Sequence, residues 1–290
     1  FGRQKPSVII LIISLLSMNT EQKHYRHQYV IGDLQGCFGA FNELLSALNF
    51  DETQDKLWLA GDIVARGEDS LATLREAKRL SDIDALSTVL GNHDITLIAT
   101  WRGVLTPKAK DKTLPIFEAS DCDELLNWLR QQPLLVFPDD RTVLTHAGIP
   151  PNWSITEAAG YAKELEKQLS GNLKQLDRLL PNLYCKKSEV WSDDLNGHQR
   201  MCAIANYFTR MRLCTQSGRL EFSFKKSLKD DMPMDFRPWF SWFVVRERRI
   251  LFGHWAALNA EVATKFVRAL DGGCVWGGVF TTGLEGPQIS

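Results

Sequence analysis

From Gln28 onward, short apolar runs alternate with longer amphipathic stretches. Tyr29-Val30-Ile31 stops at Gly32, and Phe38 to Leu48 then carries apolar residues at 41, 44, 45 and 48. That i, i+3, i+4, i+7 stripe predicts a half-buried helix, so the pair reads as a strand and its helix. Leu57-Trp58-Leu59-Ala60 stops at Gly61, and Ser70 to Leu80 repeats the stripe at 71, 74, 77 and 80. Thr88-Val89-Leu90 stops at Gly91, and Ile95 to Trp101 continues helically. Strands that each end in a Gly and a polar residue, alternating with helices, predict a layered α/β core. Ligands of open α/β sheets bind beyond the carboxyl ends of the strands, which is where these polar residues fall.

Further along, Ser120-Asp121-Cys122-Asp123 suits a capping box for a helix running to about Gln131. Leu134 to Phe137 and Thr142 to Thr145 read as strands, and Thr156 to Leu169 as a helix. Residues 170–200 are polar without a clear period, so the region 150–215 is expected to form a helical cap or insertion over the site. Strand candidates Leu220 to Phe224, Ile250 to Gly253, Val262 to Val267 and Val275 to Phe280 predict a second sheet packed on the first.

Composition narrows the class. Hydrophobic residues at 44% and nine Trp in 290 residues exclude a disordered chain. A net charge of −1 leaves no global positive field for nucleic acid or an anionic membrane, so an anionic small molecule must be held by local chemistry. The six Cys form no C-x-x-C pair, which argues for reduced thiols and a cytoplasmic setting. Arg3 and Lys5 ahead of the apolar run Val8 to Leu16 resemble a signal peptide or anchor, but no small-x-small cleavage site follows. The favoured reading sets residues 1–17 upstream of a natural start at Met18, with 18–28 a polar lead-in and 29–290 a single domain. A signal segment and an ordered core segment are the alternatives.

The strand ends carry Gly32-Asp33-Leu34-Gln35-Gly36, Gly61-Asp62-Ile63-Val64-Ala65-Arg66-Gly67 and Gly91-Asn92-His93-Asp94, while His146 and His254 follow further strand-like runs. Carboxylate, carboxamide and imidazole donors together suit Mn²⁺, Fe or Zn²⁺ better than Ca²⁺. Singly, Gly-Asp and Gly-Asn are common turn dipeptides, and a His after a strand is usually structural. Five such elements in succession are harder to explain as turns.

These blocks resemble the metallophosphoesterase signature G-D-x-H-G, G-D-x-x-x-R-G, G-N-H-D/E, His and His. Phe208-Thr209-Arg210-Met211-Arg212 and Gly253-His254-Trp255 narrow the resemblance to the bacterial symmetrical diadenosine tetraphosphatases, over about Tyr29 to Gly278. The resemblance implies a four-layer α/β fold of two packed mixed β-sheets flanked by helices, with a small helical cap. It implies two divalent metal ions, Mn²⁺ or Co²⁺ first and Fe or Zn²⁺ as alternatives. Asp33 and the Gln35 position would serve one metal, Asp62 would bridge, and Asn92, His146 and His254 would complete the second. His93 would be the catalytic acid, and Arg66, Arg210 and Arg212 would clamp phosphates. The implied reaction is hydrolysis of diadenosine tetraphosphate to two ADP by in-line attack of a metal-bridging hydroxide. A protein Ser/Thr phosphatase and a non-catalytic nucleotide-binding regulator are the competing functions. Gln35 replaces the His of G-D-x-H-G, and Ala65 replaces the Asp that orients the catalytic His in related protein phosphatases. Trp153, Trp191 and Trp255 are the aromatic candidates for adenine contact, against a role in the core.

Overall fold

The computed structural model describes residues 25–184, 190–243 and 247–278. The expectations for residues 1–17 and for most of 18–28 lie outside the described residues. The first sheet is wholly parallel, in the order β1 (Gln28–Ile31), β2 (Lys56–Leu59), β3 (Leu86–Thr88). In the second, β4 (Leu135–Val136) pairs antiparallel with β5 (Thr142–Thr145), which runs parallel to β6 (Arg249–Phe252) and β7 (Val267–Ala269).

Alternation along each strand divides the apolar residues between two layers. Val30, Ala60, Val89, Leu144, Leu251 and Leu270 form one buried cluster. They point from both sheets into the space between them, while Tyr29, Ile31, Leu57 and Leu59 belong to the larger core under the helices. Helices α1 (Phe38–Ala47), α2 (Ser70–Asp82) and α3 (Asn92–Trp101) supply that covering layer, and α2 opens with Asp69 accepting from the Ala72 N–H. Because β1, β2 and β3 are mutually parallel, and β5, β6 and β7 likewise, each set of carboxyl ends lies at one edge of its sheet.

Several sequence expectations need correction. Helix α4 (Leu114–Glu118) precedes α5 (Cys122–Leu129), and the latter has no side-chain cap. Asp121 instead forms a two-pronged ion pair with Arg75, a charged donor that outcompetes a backbone N–H. After α6 (Ile155–Leu169), the segment without a visible period contains α7 (Leu173–Leu179), capped by Asn172 and Gln175, and the start of α8 (Gly197–Arg210). The stretch from Val262 contributes an isolated bridge at Ala263, and the strand itself begins at Val267. Of the Val275 to Phe280 strand candidate, the described part is a 3₁₀ turn over Cys274–Trp276 between left-handed Gly273 and Gly277. Cys37, Cys122, Cys214 and Cys274 are free, but Cys202 is disulfide-bonded. Tertiary proximity, which spacing does not report, overrides the all-thiol expectation. No helix among the described residues is long and apolar enough to cross a membrane.

One side chain ties the loops of the first sheet together. Asp94, fully buried on the first turn of α3, accepts from the N–H groups of Gly91 (2.9 Å), Asp62 (2.8 Å) and Ile63 (3.0 Å). Burial, with the nearby Asp62 charge, nevertheless pushes its carboxyl up to about 7. Asp94→Ala would strand three buried donors, each worth roughly 1–3 kcal/mol. A loss of at least about 3 kcal/mol is expected in urea unfolding, with Asp94→Asn, which keeps one acceptor oxygen, losing less.

Candidate active site

The loops after β1, β2, β3, β6 and β7 and the end of α8 line one cleft of about 700 Å³. Gln35, Asp62, Asn92, His93 and His254 reach it, as do Arg66, Arg210 and Arg212. Asp33 and His146 are buried and contact this group from behind. Every sequence-predicted site residue is therefore brought to the same region.

The backbone is bent to achieve this. Gln35, Asp62, Ala65, Arg66 and His254 all have φ between 46° and 87°, a left-handed conformation that costs a non-Gly residue of order 1–3 kcal/mol. Each of their N–H groups is anchored. Gln35 donates to the Asp62 carbonyl, Asp62 to Asp94, Ala65 to Ser70 Oγ, Arg66 to the Asp111 carbonyl and His254 to Asp33 Oδ1. Gly91 and Gly253 matter for closeness: a Cβ at Gly91 would overlap the Asp62 carboxylate, and one at Gly253 the Asp33 carboxylate.

Ligand atoms of Asp62, His146 and His254 lie within 4.8 Å of one another. His146 Nδ1 sits 2.7 Å from the Ala60 carbonyl, which can only accept, so Nδ1 carries the proton. Its Nε2 lone pair then faces Asp62 Oδ2 at 3.6 Å and the Asn92 carboxamide oxygen at 3.3 Å. Burial pushes both imidazoles down, His254 strongly, with Arg212 adding to the effect there, so both are neutral donors. His254 Nε2 is buried without a partner. Burial also raises Asp33 well above the usual carboxylate range, and Asp271 and Asp62 push it further by repulsion.

This donor set fits divalent metal. Clustered buried carboxylates and neutral imidazoles lack positive charge, and an Asn92 oxygen turned inward meets only acceptors. Turned over, the carboxamide donates to Thr209 O (3.0 Å) and His254 Nδ1 (2.8 Å). The oxygen-inward orientation therefore makes electrostatic sense with a cation among these groups.

Three side chains here escaped the sequence reading. Asp271 lines the cleft, and burial brings its carboxyl up to about 6. Its position just past the strand Val267–Ala269 and Leu270, apolar but for Arg268, repeats the strand-end pattern of the other ligands and could have revealed it. Trp276, 67% exposed, and Tyr184 also line the cleft. Of the aromatic candidates, Trp153 is buried in the core and Trp191 packs on Trp153 and Tyr161, whereas Trp255, although mostly buried, lines the cleft and donates its indole N–H to the Lys226 carbonyl. Arg210 and Arg212 do not form a solvated helix face. Arg210 is held by Asn206 and the Leu183 carbonyl, and Arg212 donates to the His254 carbonyl. Burial lowers the Arg212 guanidinium to about 10, with Asp271, Asp33 and Asp62 opposing the shift.

Comparison with known proteins identifies the family. The family model for calcineurin-like phosphoesterases matches residues 28–255. A symmetrical bis(5′-nucleosyl)-tetraphosphatase of Cellvibrio japonicus is 46% identical over 258 residues, 87% of this chain and 93% of that protein. Its counterpart in Chromohalobacter salexigens is 48% identical over 257 residues, 87% and 92% of the two chains. Among solved structures, a candidate diadenosine tetraphosphatase superposes with a TM-score of 0.58 at 20% identity, covering 94% of this chain and 91% of that one, which speaks to the fold alone. The chain belongs to the calcineurin-like phosphoesterases and, within them, to the family of symmetrical bis(5′-nucleosyl)-tetraphosphatases.

Proposed function

We propose that this chain is a metal-dependent hydrolase that cleaves diadenosine 5′,5‴-P1,P4-tetraphosphate symmetrically into two ADP. The observation that carries the reading is the Asp62, His146, His254 cluster at the floor of a cleft flanked by Arg66, Arg210 and Arg212. Identity of 46–48% to symmetrical tetraphosphatases over nearly the whole chain supports this substrate over a phosphoprotein.

Asp33, Gln35 and Asp62 would hold one ion, and Asp62, Asn92, His146 and His254 the other. Asp271 is a further carboxylate beside the first group. The oxygen and nitrogen donors favour Mn²⁺ or Co²⁺, with Fe or Zn²⁺ as alternatives. Two such ions, when bound, supply Lewis acidity toward the phosphate oxygens and acidify water at neutral pH. The chain's own groups do the rest. The arginines grip non-bridging phosphate oxygens, for which the guanidinium fork is shaped. His93, whose backbone N–H donates to Asp62 Oδ1 at 2.7 Å, is held beside the cleft floor to protonate the departing ADP oxygen.

A symmetrical cut needs a nucleoside on each side of the scissile linkage. Two arginine–aromatic pairs meet that need. The Arg66 guanidinium lies 5.4 Å from the Trp276 ring, beside the loops of Gln35 and Asp271. Arg210 lies 4.7 Å from the Tyr184 ring, whose hydroxyl contacts Thr96 on α3, one turn beyond Asn92. Each pair can grip phosphate and stack a base. The expected cytoplasmic setting belongs to the same reading; the four free cysteines support it, and the Cys202 disulfide weighs against it.

Chromatography of products from Mn²⁺-loaded protein and diadenosine tetraphosphate is expected to yield ADP alone; AMP with ATP, or no turnover, would refute the reading. Asp62→Asn is expected to abolish turnover and to lower bound metal measured by mass spectrometry, because that carboxylate serves both ions. Trp276→Ala should raise KM with little change in kcat, by the roughly 5- to 150-fold that corresponds to a stacking loss of about 1–3 kcal/mol. Steady-state kinetics on the dinucleotide checks this.

A further inference from the structure

His93 borders two spaces at once. One is the substrate cleft; the other is a void of about 20 Å³ behind it, walled by Ala65, Thr96, Asp111 and Thr113 among others. Asp111 is the one carboxylate that lines this void. It is buried, 8% exposed, and its Oδ1 has no hydrogen-bond partner. A carboxylate oxygen taken from water without a donor is costly, so such an atom normally marks an interaction completed by water or by a small side-chain movement. The void can hold one water, which needs roughly 10–15 Å³ of such space.

Asp111 is also tied to the active-site backbone. It ends a 3₁₀ turn, Ala109–Asp111, and its carbonyl accepts the N–H of left-handed Arg66 at 2.9 Å. Ala65 also lines the void, and its methyl side chain offers His93 no acceptor. The imidazole nitrogen turned away from the cleft needs an acceptor if the other is to keep a defined protonation state.

We propose that Asp111 is the positioning residue of His93. Its carboxylate accepts the hydrogen bond of the imidazole N–H on the void side, directly or through one water, and so fixes the ring and its tautomer toward the cleft. The carboxylate comes from the loop after α3, not from the β2 loop that bears Ala65. The proposal rests on the reading of His93 as the acid of the hydrolase.

The test uses Asp111→Asn and Asp111→Ser, which both keep the backbone carbonyl that anchors Arg66. In the metal-free chain, the His93 ¹⁵N ring resonances, identified by their absence in His93→Asn, are expected to shift in both variants. In the metal-loaded chain, kcat on diadenosine tetraphosphate should fall about 10- to 100-fold, the usual scale for losing such a support, with KM and bound metal unchanged. In a His93→Asn background the same substitutions should change kcat less than about twofold, since groups acting through one another are not additive. Unmoved His93 resonances, or an equal loss in the His93→Asn background, would overturn the proposal. Because the resonance shift needs no turnover, it stands apart from the substrate assignment, which fails only if the wild-type chain makes no ADP.

Discussion

The burial of several carboxylates beside one another constrains this site. Asp62 and Asp271 line one cleft and Asp33 lies behind them, all three at least 95% buried, where low polarizability magnifies the cost of like charges. Burial first, and then the charge of neighbouring carboxylates, raises both Asp33 and Asp271. Only cations relieve them fully. The buried Arg212 contributes one charge and divalent metal would contribute the rest, so the formal balance of −1 says little about the field inside the cleft.

Holding such groups together demands a scaffold that does not relax. The two sheets clamp face to face through Val30, Ala60, Val89, Leu144, Leu251 and Leu270, and their loops meet at the cleft. Five non-Gly residues there are left-handed, and each strained N–H has a partner, which for all but Ala65 comes from a distant part of the chain. Strain and anchoring are thus interlocked: the Asp62 backbone depends on Asp94, and the His254 backbone on Asp33. A site built this way is pre-organised, and the folding energy of the surrounding core supports it.

Substrate grip and chemistry are divided among elements far apart in sequence. Arg66 comes from the β2 loop, Arg210 and Arg212 from the end of α8, and the aromatic neighbours of Arg66 and Arg210, Trp276 and Tyr184, from the 3₁₀ turns Cys274–Trp276 and Leu180–Tyr184. Such segments are anchored by contacts with distant parts of the chain, as Asp111 is through Arg66. Substrate recognition therefore depends on long-range packing more than on any single motif.

What could be read from the chain alone follows from this. Periodicity identified β1, β2, α1, α2 and the carboxyl-end placement of Asp33, Asp62, Asn92 and His146, because short strands that stop at Gly-polar pairs carry their geometry locally. Within the region 150–215, expected to be a helical cap, it gave no bounds for α7 and α8, because α7 is only seven residues long and α8 is buried on every side from Cys202 to Thr209, and it read a strand from Val275 where two left-handed glycines, not hydrophobicity, decide a turn. The capping role expected of Ser120 to Asp123 gave way to the Arg75–Asp121 ion pair, a contact across 46 residues. The sequence by itself determined the α/β layering, the ligand types and the family, since these reside in local pattern and motif. Which carboxylates share a field, which aromatics stay exposed and which buried oxygen lacks a partner are set by packing, since burial and electrostatics are properties of neighbours brought together by the fold.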